Sequence, residues 1–428
     1  MKRSKLFSIV TAGCLALVCV LGGFSEFEEK TEANDASFEC AYATDRIIVA
    51  LKTDADYQFA MESSGVIFEQ QLSQENDKYD VALYSIEDKT EEGVKQAIDS
   101  LEKNPAVAYA EPDYILTASD TVPNDPSYSQ LYGMEKISAP GAWDMCTGTS
   151  DIVVGIIDSG VDYTHPDLAN NIWVNPGEIA GNGIDDDANG YIDDIHGWNF
   201  VDDSNDPMDD NGHGTHVAGT VGAVGNNGTG VVGVNWTTSI AVLKFLDADG
   251  SGYTSDAILA INYAEEMGFD ILNNSWGGRT YSQSLKNAIT AYNGVFVAAA
   301  GNNGTNNDSI ATYPACYTCS NIISVAATTS TDARASYSNY GSTTVDLGAP
   351  GSYIYSTYPN NSYATLSGTS MATPHVAGAA ALIKSLDPTL TSAEIKTLIL
   401  SNVDPVSSLN GITVTGGRLN VEKCLDAL

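Results

Sequence analysis

Ile152-Val153-Val154-Gly155-Ile156-Ile157-Asp158-Ser159-Gly160-Val161-Asp162 opens with an apolar, β-branched run too short for a helix, which predicts a strand buried on both faces. Asp158 follows it directly, and open α/β sheets gather their ligands and catalytic groups just beyond the carboxyl ends of strands. Further strands of the same kind are predicted at Ser239–Phe245, Asp270–Asn274, Val295–Ala300 and Ile322–Ala326. Helical patterning falls between or after them, at His213–Val224, Thr254–Met267, Ser284–Tyr292, Ser370–Ser385 and Thr391–Ser401. The alternation predicts an α/β fold, a parallel sheet with helices on both faces.

A smaller pattern precedes it. Arg46–Leu51, Gly65–Leu72, Asp80–Ile86 and Val107–Ile115 read as strands, with helices at Ala55–Ser63 and Glu91–Lys103. This strand-helix-strand-strand-helix-strand order is the split arrangement of a small ferredoxin-like α+β domain, assigned to residues 44–117. Thr117–Asp125, with Pro123 and Asn124, reads as an exposed linker and a natural cleavage site. At the start, Lys2, Arg3 and Lys5 precede an uncharged apolar stretch from Leu6 to Gly23. That is the shape of a secretory signal peptide over residues 1–25, and a membrane-spanning helix is the rival reading. Export implies a secreted or cell-surface-associated protein.

The 428 residues carry 55 acidic and 19 basic side chains, a formal charge of −36, so phosphate repulsion disfavours nucleic acid as a partner. Cys316-Tyr317-Thr318-Cys319 would close a small disulfide loop in an oxidising compartment, and free or separately paired thiols are the alternative. No second Cys or His pair stands near enough to make a zinc site.

Three short segments carry the chemistry. Asp158-Ser159-Gly160, His213-Gly214-Thr215-His216 and Gly368-Thr369-Ser370-Met371-Ala372-Thr373-Pro374 supply an acid, a base and a nucleophile in that order. A serine hydroxyl attacks at neutral pH only when an imidazole takes its proton, and a carboxylate fixes that imidazole's tautomer. Singly, each segment also reads as a cap, a packed histidine or a turn. His213-Gly-Thr-His216 lacks the glutamate of a zinc-binding His-Glu-x-x-His helix.

Together, Asp158-Ser-Gly-Val-Asp162, His213-Gly-Thr-His-Val-Ala-Gly219 and Gly368-Thr-Ser-Met-Ala-Thr-Pro-His-Val-Ala-Gly378 resemble the three signature blocks of the subtilisin-like serine proteases, the subtilases. The resemblance covers residues 122–428, and Asp45–Leu116 resembles the family's inhibitory propeptide. It implies that Ser370 attacks the scissile carbonyl, that His213 serves as base and then acid, and that Asp158 orients His213. Ala298-Ala-Ala-Gly-Asn302 resembles the segment carrying the oxyanion-binding asparagine, which implies that Asn302 and the Ser370 amide form that hole. His216 and His375 are expected to be packed helix residues.

Gly250-Ser251-Gly252 and Ser275-Trp276-Gly277 resemble the segments that flank an extended substrate, which pairs with them as an added strand; ordinary turns are the alternative. Thr312, before Tyr313-Pro314, matches the floor of the primary specificity pocket and leaves side-chain preference open. Val224-Gly-Asn-Asn-Gly-Thr-Gly-Val231 resembles the loop of a tight calcium site. The resemblance implies side-chain ligands Asn227, Asp167 and Asp125 and carbonyl ligands Val224, Thr229 and Val231, a shell of the kind calcium prefers. A second candidate is Asp185-Asp-Asp-Ala-Asn-Gly-Tyr-Ile-Asp-Asp194, where Asp185, Asp187, Asn189 and the Tyr191 carbonyl have EF-hand spacing. His196 stands where an EF-hand places its glutamate, so Asp194 or Asp193 would close the shell; a solvated acidic loop is the alternative.

The resulting expectation is a secreted, calcium-stabilised serine endopeptidase without organic cofactor. It would be made as a zymogen that cuts itself between Leu116 and Val122, with protein or peptide substrates and its own propeptide as inhibitor. An esterase of the α/β-hydrolase type would place its serine in Gly-x-Ser-x-Gly ahead of the acid and histidine, unlike Ser370. A non-catalytic surface binding protein would be expected to have lost part of the triad or Asn302.

Overall fold

The computed structural model describes residues 42–52, 65–73, 78–115 and 121–428. By its internal contacts the chain divides into Met1–Ala118 and Ser119–Leu428. The apolar N-terminal stretch and the helix expected at Ala55–Ser63 lie outside the described residues. Among the described residues no helix is long and apolar enough to cross a membrane.

In the first unit, Ile47, Val49 and Leu51 bury one face of Tyr42–Lys52 (β1). This strand pairs antiparallel with Tyr79–Ile86 (β3) on one side and Val107–Tyr114 (β4) on the other, and Val66–Gln71 (β2) completes the order β2-β3-β1-β4. Glu91–Leu101 (α1) lays Val94 and Leu101 against the same core. The Thr90 hydroxyl accepts from the Gly93 amide and caps the helix, while Glu91 and Glu92 face the positive end of its dipole.

In the second unit, two short helices, Tyr132–Lys136 (α2) and Ala139–Trp143 (α3), lead into Val153–Asp158 (β5). Then follow Gly197–Asn199 (β6), His213–Gly222 (α4), Ser239–Lys244 (β7), Thr254–Glu266 (α5), Ile271–Asn274 (β8), Gln283–Ala291 (α6) and Val295–Ala299 (β9). Ile322–Thr328 (β10), Leu347–Pro350 (β11), the hairpin Ile354–Tyr358 (β12) and Ser362–Leu366 (β13), and Thr369–Leu386 (α7) come next. Ser392–Ser401 (α8), Asp404–Pro405 (β14), Gly417–Arg418 (β15) and Val421–Asp426 (α9) finish the chain. The main sheet has the order β14-β15-β11-β10-β9-β8-β5-β7-β6 and is parallel except for the β14–β15 pair.

Period-two alternation divides the strands between two cores. Val154, Ile156, Ile240, Val242, Val295 and Val297 face α4 and α7, whereas Ile157, Ala241, Leu243, Phe296 and Ala298 face α5 and α6. Strand prediction from apolar runs therefore succeeds in the centre. It misses β6, β11, β14 and β15, which have four residues or fewer, and the hairpin β12–β13, whose strands mix polar and aromatic residues.

Connection order fixes where chemistry can sit. Chain from β5 reaches β7 on one side, and α5 then carries it across to β8 on the other side of β5. The progression reverses around β5, so a crevice opens at its carboxyl end, and Asp158 is the residue there.

Candidate active site

Asp158 is completely buried. Its Oδ1 accepts from the Ser159 amide at 2.7 Å and from His213 Nδ1 at 2.7 Å, while Oδ2 has no hydrogen-bond partner among the described residues. The second bond settles the imidazole: Nδ1 carries the proton toward Asp158, leaving Nε2 as the lone-pair nitrogen. Burial, the largest single influence, would lower the His213 pKa. The Asp158 charge, its hydrogen bond and the nearby Asp209 charge outweigh burial and hold it above the ordinary imidazole value. His213 keeps 26% of its side chain accessible and lines an open cleft of roughly 610 Å³.

Helix α4 reaches Asp158 because Gly214 has no side chain. A Cβ there would lie 2.0 Å from the Gly160 carbonyl oxygen and 3.2 Å from the Asp158 Cβ. Asp209, absent from the sequence reading, pins the same corner: its buried carboxylate accepts five hydrogen bonds, from the Ser159 hydroxyl, the Asn211, Gly212 and Thr215 amides and the Thr215 hydroxyl. Lys244, paired in register with Asp158 across β5 and β7, is also buried and donates to the Ser159 and Leu246 carbonyls and to Asp210. Position four residues before His213 was the only sequence signal for Asp209, and it was hidden in the acidic run ending at Asp210.

Ser370 sits in the first turn of α7, nearly buried. Pro374, four residues on, has no amide hydrogen to give the Ser370 carbonyl, and the Ser275 hydroxyl donates to it instead at 2.9 Å. Reciprocally, Ser370 Oγ donates to the Ser275 carbonyl at 3.0 Å. The serine hydroxyl is thus held at the end of β8, beside the cleft that His213 and Ser275 both line.

Asn302 follows Gly301, whose φ of +108° turns the chain out of β9. Its side-chain oxygen accepts from the Thr369 amide at 2.8 Å and the Thr369 hydroxyl at 2.9 Å. A backbone N–H can only donate, so the Asn302 orientation is settled and Nδ2 is left to donate elsewhere. A Cβ on Gly368 would lie 3.4 Å from that Nδ2 and 3.6 Å from the Ser370 amide nitrogen, so the two donors flank one space beside the serine.

The two glycine-bearing segments, Gly250-Ser251-Gly252 and Ser275-Trp276-Gly277, both line the cleft. Phe245 and Trp276 pack edge to face beneath it, centroids 4.9 Å apart. Thr312 is buried: its hydroxyl engages Asn307 and Asn339, and its methyl lies under Gly277 and Gly301, 3.3 Å from where either Cβ would stand. His216 and His375 are buried and lowered to about 4 by burial, and so are neutral packing residues.

Over residues 149–418 the sequence matches the subtilase family, and over 28–113 it matches the fervidolysin N-terminal prodomain. The chain belongs to the subtilase family. It is 42% identical over 331 residues to the thermophilic serine proteinase of a Bacillus species, covering 76% of this chain and 75% of that one. It is also 42% identical over 307 residues to thermitase from Thermoactinomyces vulgaris, covering 71% and 99%. A solved protease structure from Pseudoalteromonas arctica matches with a TM-score of 0.58 at 31% identity, over 72% of this chain and 99% of that chain. This subtilase is therefore a serine protease, a hydrolase with a prodomain ahead of its subtilisin-like sheet.

Away from the cleft, Asp125 and Asp167 are buried together beside the Val224–Val231 loop. Asp125 accepts from the Asn226 and Asn227 amides, and Asp167 from the Asn227 side chain, the Val231 amide and the Tyr363 hydroxyl. The Asn227 side-chain oxygen accepts from the Thr229 amide, and the Val224 amide donates to the Asp167 carbonyl. Burial raises the pKa of both carboxylic acids, and the Asp167 charge adds to the rise at Asp125.

In the acidic loop the grouping differs from the one that spacing indicates. Carboxylate oxygens of Glu178, Asp187 and Asp194 lie within 4.8 Å of one another, and Glu178 is nine residues from Asp187 in sequence. Asn189 donates to both Asp187 and Asp194. Asp185 instead accepts from the Asn189 and Gly190 amides, and the Tyr191 ring packs on Trp198 and Tyr263. All four cysteines of the described residues are free, which answers the choice left open for Cys316 and Cys319: Cys316 Sγ faces the Thr312 amide and Cys319 Sγ the Thr290 hydroxyl.

Replacing Gly214 with Ala should push α4 off the Gly160 carbonyl and displace His213 from Asp158. Peptide hydrolysis is expected to fall roughly a hundredfold, the scale for a misplacement of about 1 Å, with the melting temperature showing how much of the loss is folding.

Proposed function

We propose that this chain is a secreted, self-processed endopeptidase in which Ser370 Oγ attacks the scissile carbonyl while His213 Nε2 takes its proton. Asp158 holds the imidazole by Nδ1 and stabilises the imidazolium that forms. His213 then gives that proton to the departing amine, and the acyl-enzyme on Ser370 is hydrolysed by water activated in the same way. The substrate would lie as an added strand between Gly250–Gly252 and Ser275–Gly277, above the pocket floored by Thr312.

The observation that carries this reading is the pair of donors beside Ser370. Asn302 Nδ2 and the Ser370 amide flank one space, and Thr369 fixes the asparagine so that its donor needs no reorientation when negative charge develops. A serine held there without such donors would be compatible with a binding protein. Purified Ser370→Ala protein should lose hydrolysis of casein and peptides and should accumulate as the unprocessed chain in a protease-free host. Retained proteolysis would remove the mechanism, and a shortened Ser370→Ala chain would remove self-cleavage. Asn302→Ala should lower turnover by roughly a hundred- to a thousandfold, a scale taken from the same donor in a subtilisin.

The pH dependence follows from the imidazole. His213 must be neutral to act as base, and its pKa lies above the ordinary value. The acid limb of kcat/KM should therefore fall away as pH drops through a midpoint above about 6.5. Because the Asp158 and Asp209 charges raise that midpoint, Asp209→Asn should move it toward lower pH. A midpoint that ignores Asp209→Asn would count against the assignment.

Residues 1–25 are read as a signal peptide, 44–117 as the inhibitory propeptide and 122–428 as the peptidase. Calcium fits the Asp125, Asp167 and Asn227 grouping, with the carbonyls of Val224, Thr229 and Val231 completing an oxygen shell. Two neighbouring acids that burial makes costly to ionise, with the Asp167 charge adding to the cost at Asp125, are what a hard divalent cation would relieve. In the acidic loop, Asp187 and Asp194 with Glu178 fit better than Asp185 or the Tyr191 carbonyl. Chelation of the Ser370→Ala protein should lower its melting temperature by about 5–10 °C, reversed by added calcium; an unchanged transition would argue against both sites.

A further inference from the structure

Of the residues lining the cleft, Arg279 alone carries a fixed charge. Other arginines of the described residues are engaged: Arg46 with Asp45, Arg334 with the Ala335 and Ser338 carbonyls, and Arg418 with Asp332 and Asp404. Arg279 has no hydrogen bond or ion pair with any described residue, although the chain carries 55 acids against 19 bases. In so acidic a chain an exposed guanidinium without a carboxylate beside it is held apart from the surplus. Asp247 and Asp256, near the Gly250–Gly252 segment, line an adjoining depression with Val201 and Tyr253 and are not among the residues that line the cleft.

The backbone that carries Arg279 is anchored. Gly278 donates to the Tyr313 carbonyl at 2.8 Å and accepts from the Tyr313 amide at 2.7 Å, so the segment bearing Arg279 continues the cleft edge from Ser275. Ser275 is where the serine hydroxyl is tethered. An extended peptide advances about 3.3 Å per residue, the same step as the strand edge it pairs with. Arg279 lines the cleft four residues along that edge from Ser275, so a substrate paired with the edge would pass it about three to five residues from the scissile bond.

We propose that Arg279 makes this subtilase favour peptides with an aspartate or glutamate at that distance from the cut. The inference rests on the proteolytic reading above. Everywhere else the net charge of −36 disfavours acidic peptide, so the preference is confined to one substrate position. Arginine suits the role because its planar fork pairs bidentately with a carboxylate, and its exposure keeps the effect modest and salt-sensitive.

The test uses internally quenched peptides in which Asn at each of the five positions on either side of the scissile bond is replaced in turn by Asp. The ratio of kcat/KM for Asp over Asn should peak at one position, about two- to fivefold at low ionic strength. It should shrink toward one at about 1 M salt, where the Debye length is about 3 Å. Arg279→Gln should abolish the peak, Arg279→Glu should turn it into a minimum, and Arg279→Lys should retain part of it. A flat scan, or a peak that survives Arg279→Gln, would overturn the proposal. In either case Ser370-dependent cleavage of the Asn parent peptide would leave the protease reading standing. Failure of every peptide to be cut would remove both.

Discussion

Asp158 is a carboxylate with no accessible surface at the end of β5, and a charge in that position is tolerated only if the surrounding atoms answer it. One oxygen receives the Ser159 amide and the His213 ring, and the other receives no hydrogen bond from the described residues. The imidazole is therefore the main relief for a buried negative charge, and it gives most relief when it becomes an imidazolium. That relationship sets the tautomer, places the free nitrogen toward the cleft and lifts the His213 pKa. Much of the neighbouring structure serves to hold the pair in contact: the bare Gly214, the saturated Asp209 carboxylate and the buried Lys244 ammonium all act on the same corner.

A second constraint joins Ser370 to the sheet. Pro374 interrupts the hydrogen-bond ladder of α7 at the carbonyl of Ser370, and the gap is filled by the Ser275 hydroxyl from the end of β8. The returning bond from Ser370 to the Ser275 carbonyl makes a closed pair, and Thr369 locks Asn302 from the adjacent strand end. A helix-breaking residue thus supplies a docking point between a helix and a sheet. Ser370 and the two N–H groups beside it are held by rigid elements, which suits the electrostatic stabilisation proposed for them.

Acidity has a different meaning in different parts of the chain. Asp125 with Asp167, and Asp187 with Asp194 and Glu178, are grouped by the fold, and at Asp125 the Asp167 charge adds to the cost of ionisation. Elsewhere cations hold the C-terminal segment together: Arg418 and Lys136 meet Asp332, and Arg418 and Lys423 meet Asp404. Lys396 meets Asp346. With few basic residues in this unit, nearly all of them serve packing. Arg279 differs from them in being both exposed and unengaged.

The apolar runs, the three signature segments and the Asn302 segment were legible along the chain because each is local: a strand's period, a helix start and a short motif are properties of consecutive residues. The parallel sheet, Asp158 at a strand end, His213 and Ser370 at helix starts, and the family all follow from them. The short strands β6, β11, β14 and β15 were not legible, since two to four residues without a run of β-branched apolar side chains carry no strand signal. Asp209 and Lys244 were not either, because their importance comes from burial beside Asp158 rather than from their neighbours in sequence. The same reason separates the two acidic readings. EF-hand spacing selected Asp185, Asp187, Asn189, the Tyr191 carbonyl and Asp194, and folding brings Glu178, which spacing did not select, beside Asp187 and Asp194 while Asp185 accepts from the amides of its own loop. Sequence determined which chemistry the chain possesses; tertiary structure decided which carboxylates share a space, because distance across a fold is set by packing and not by spacing.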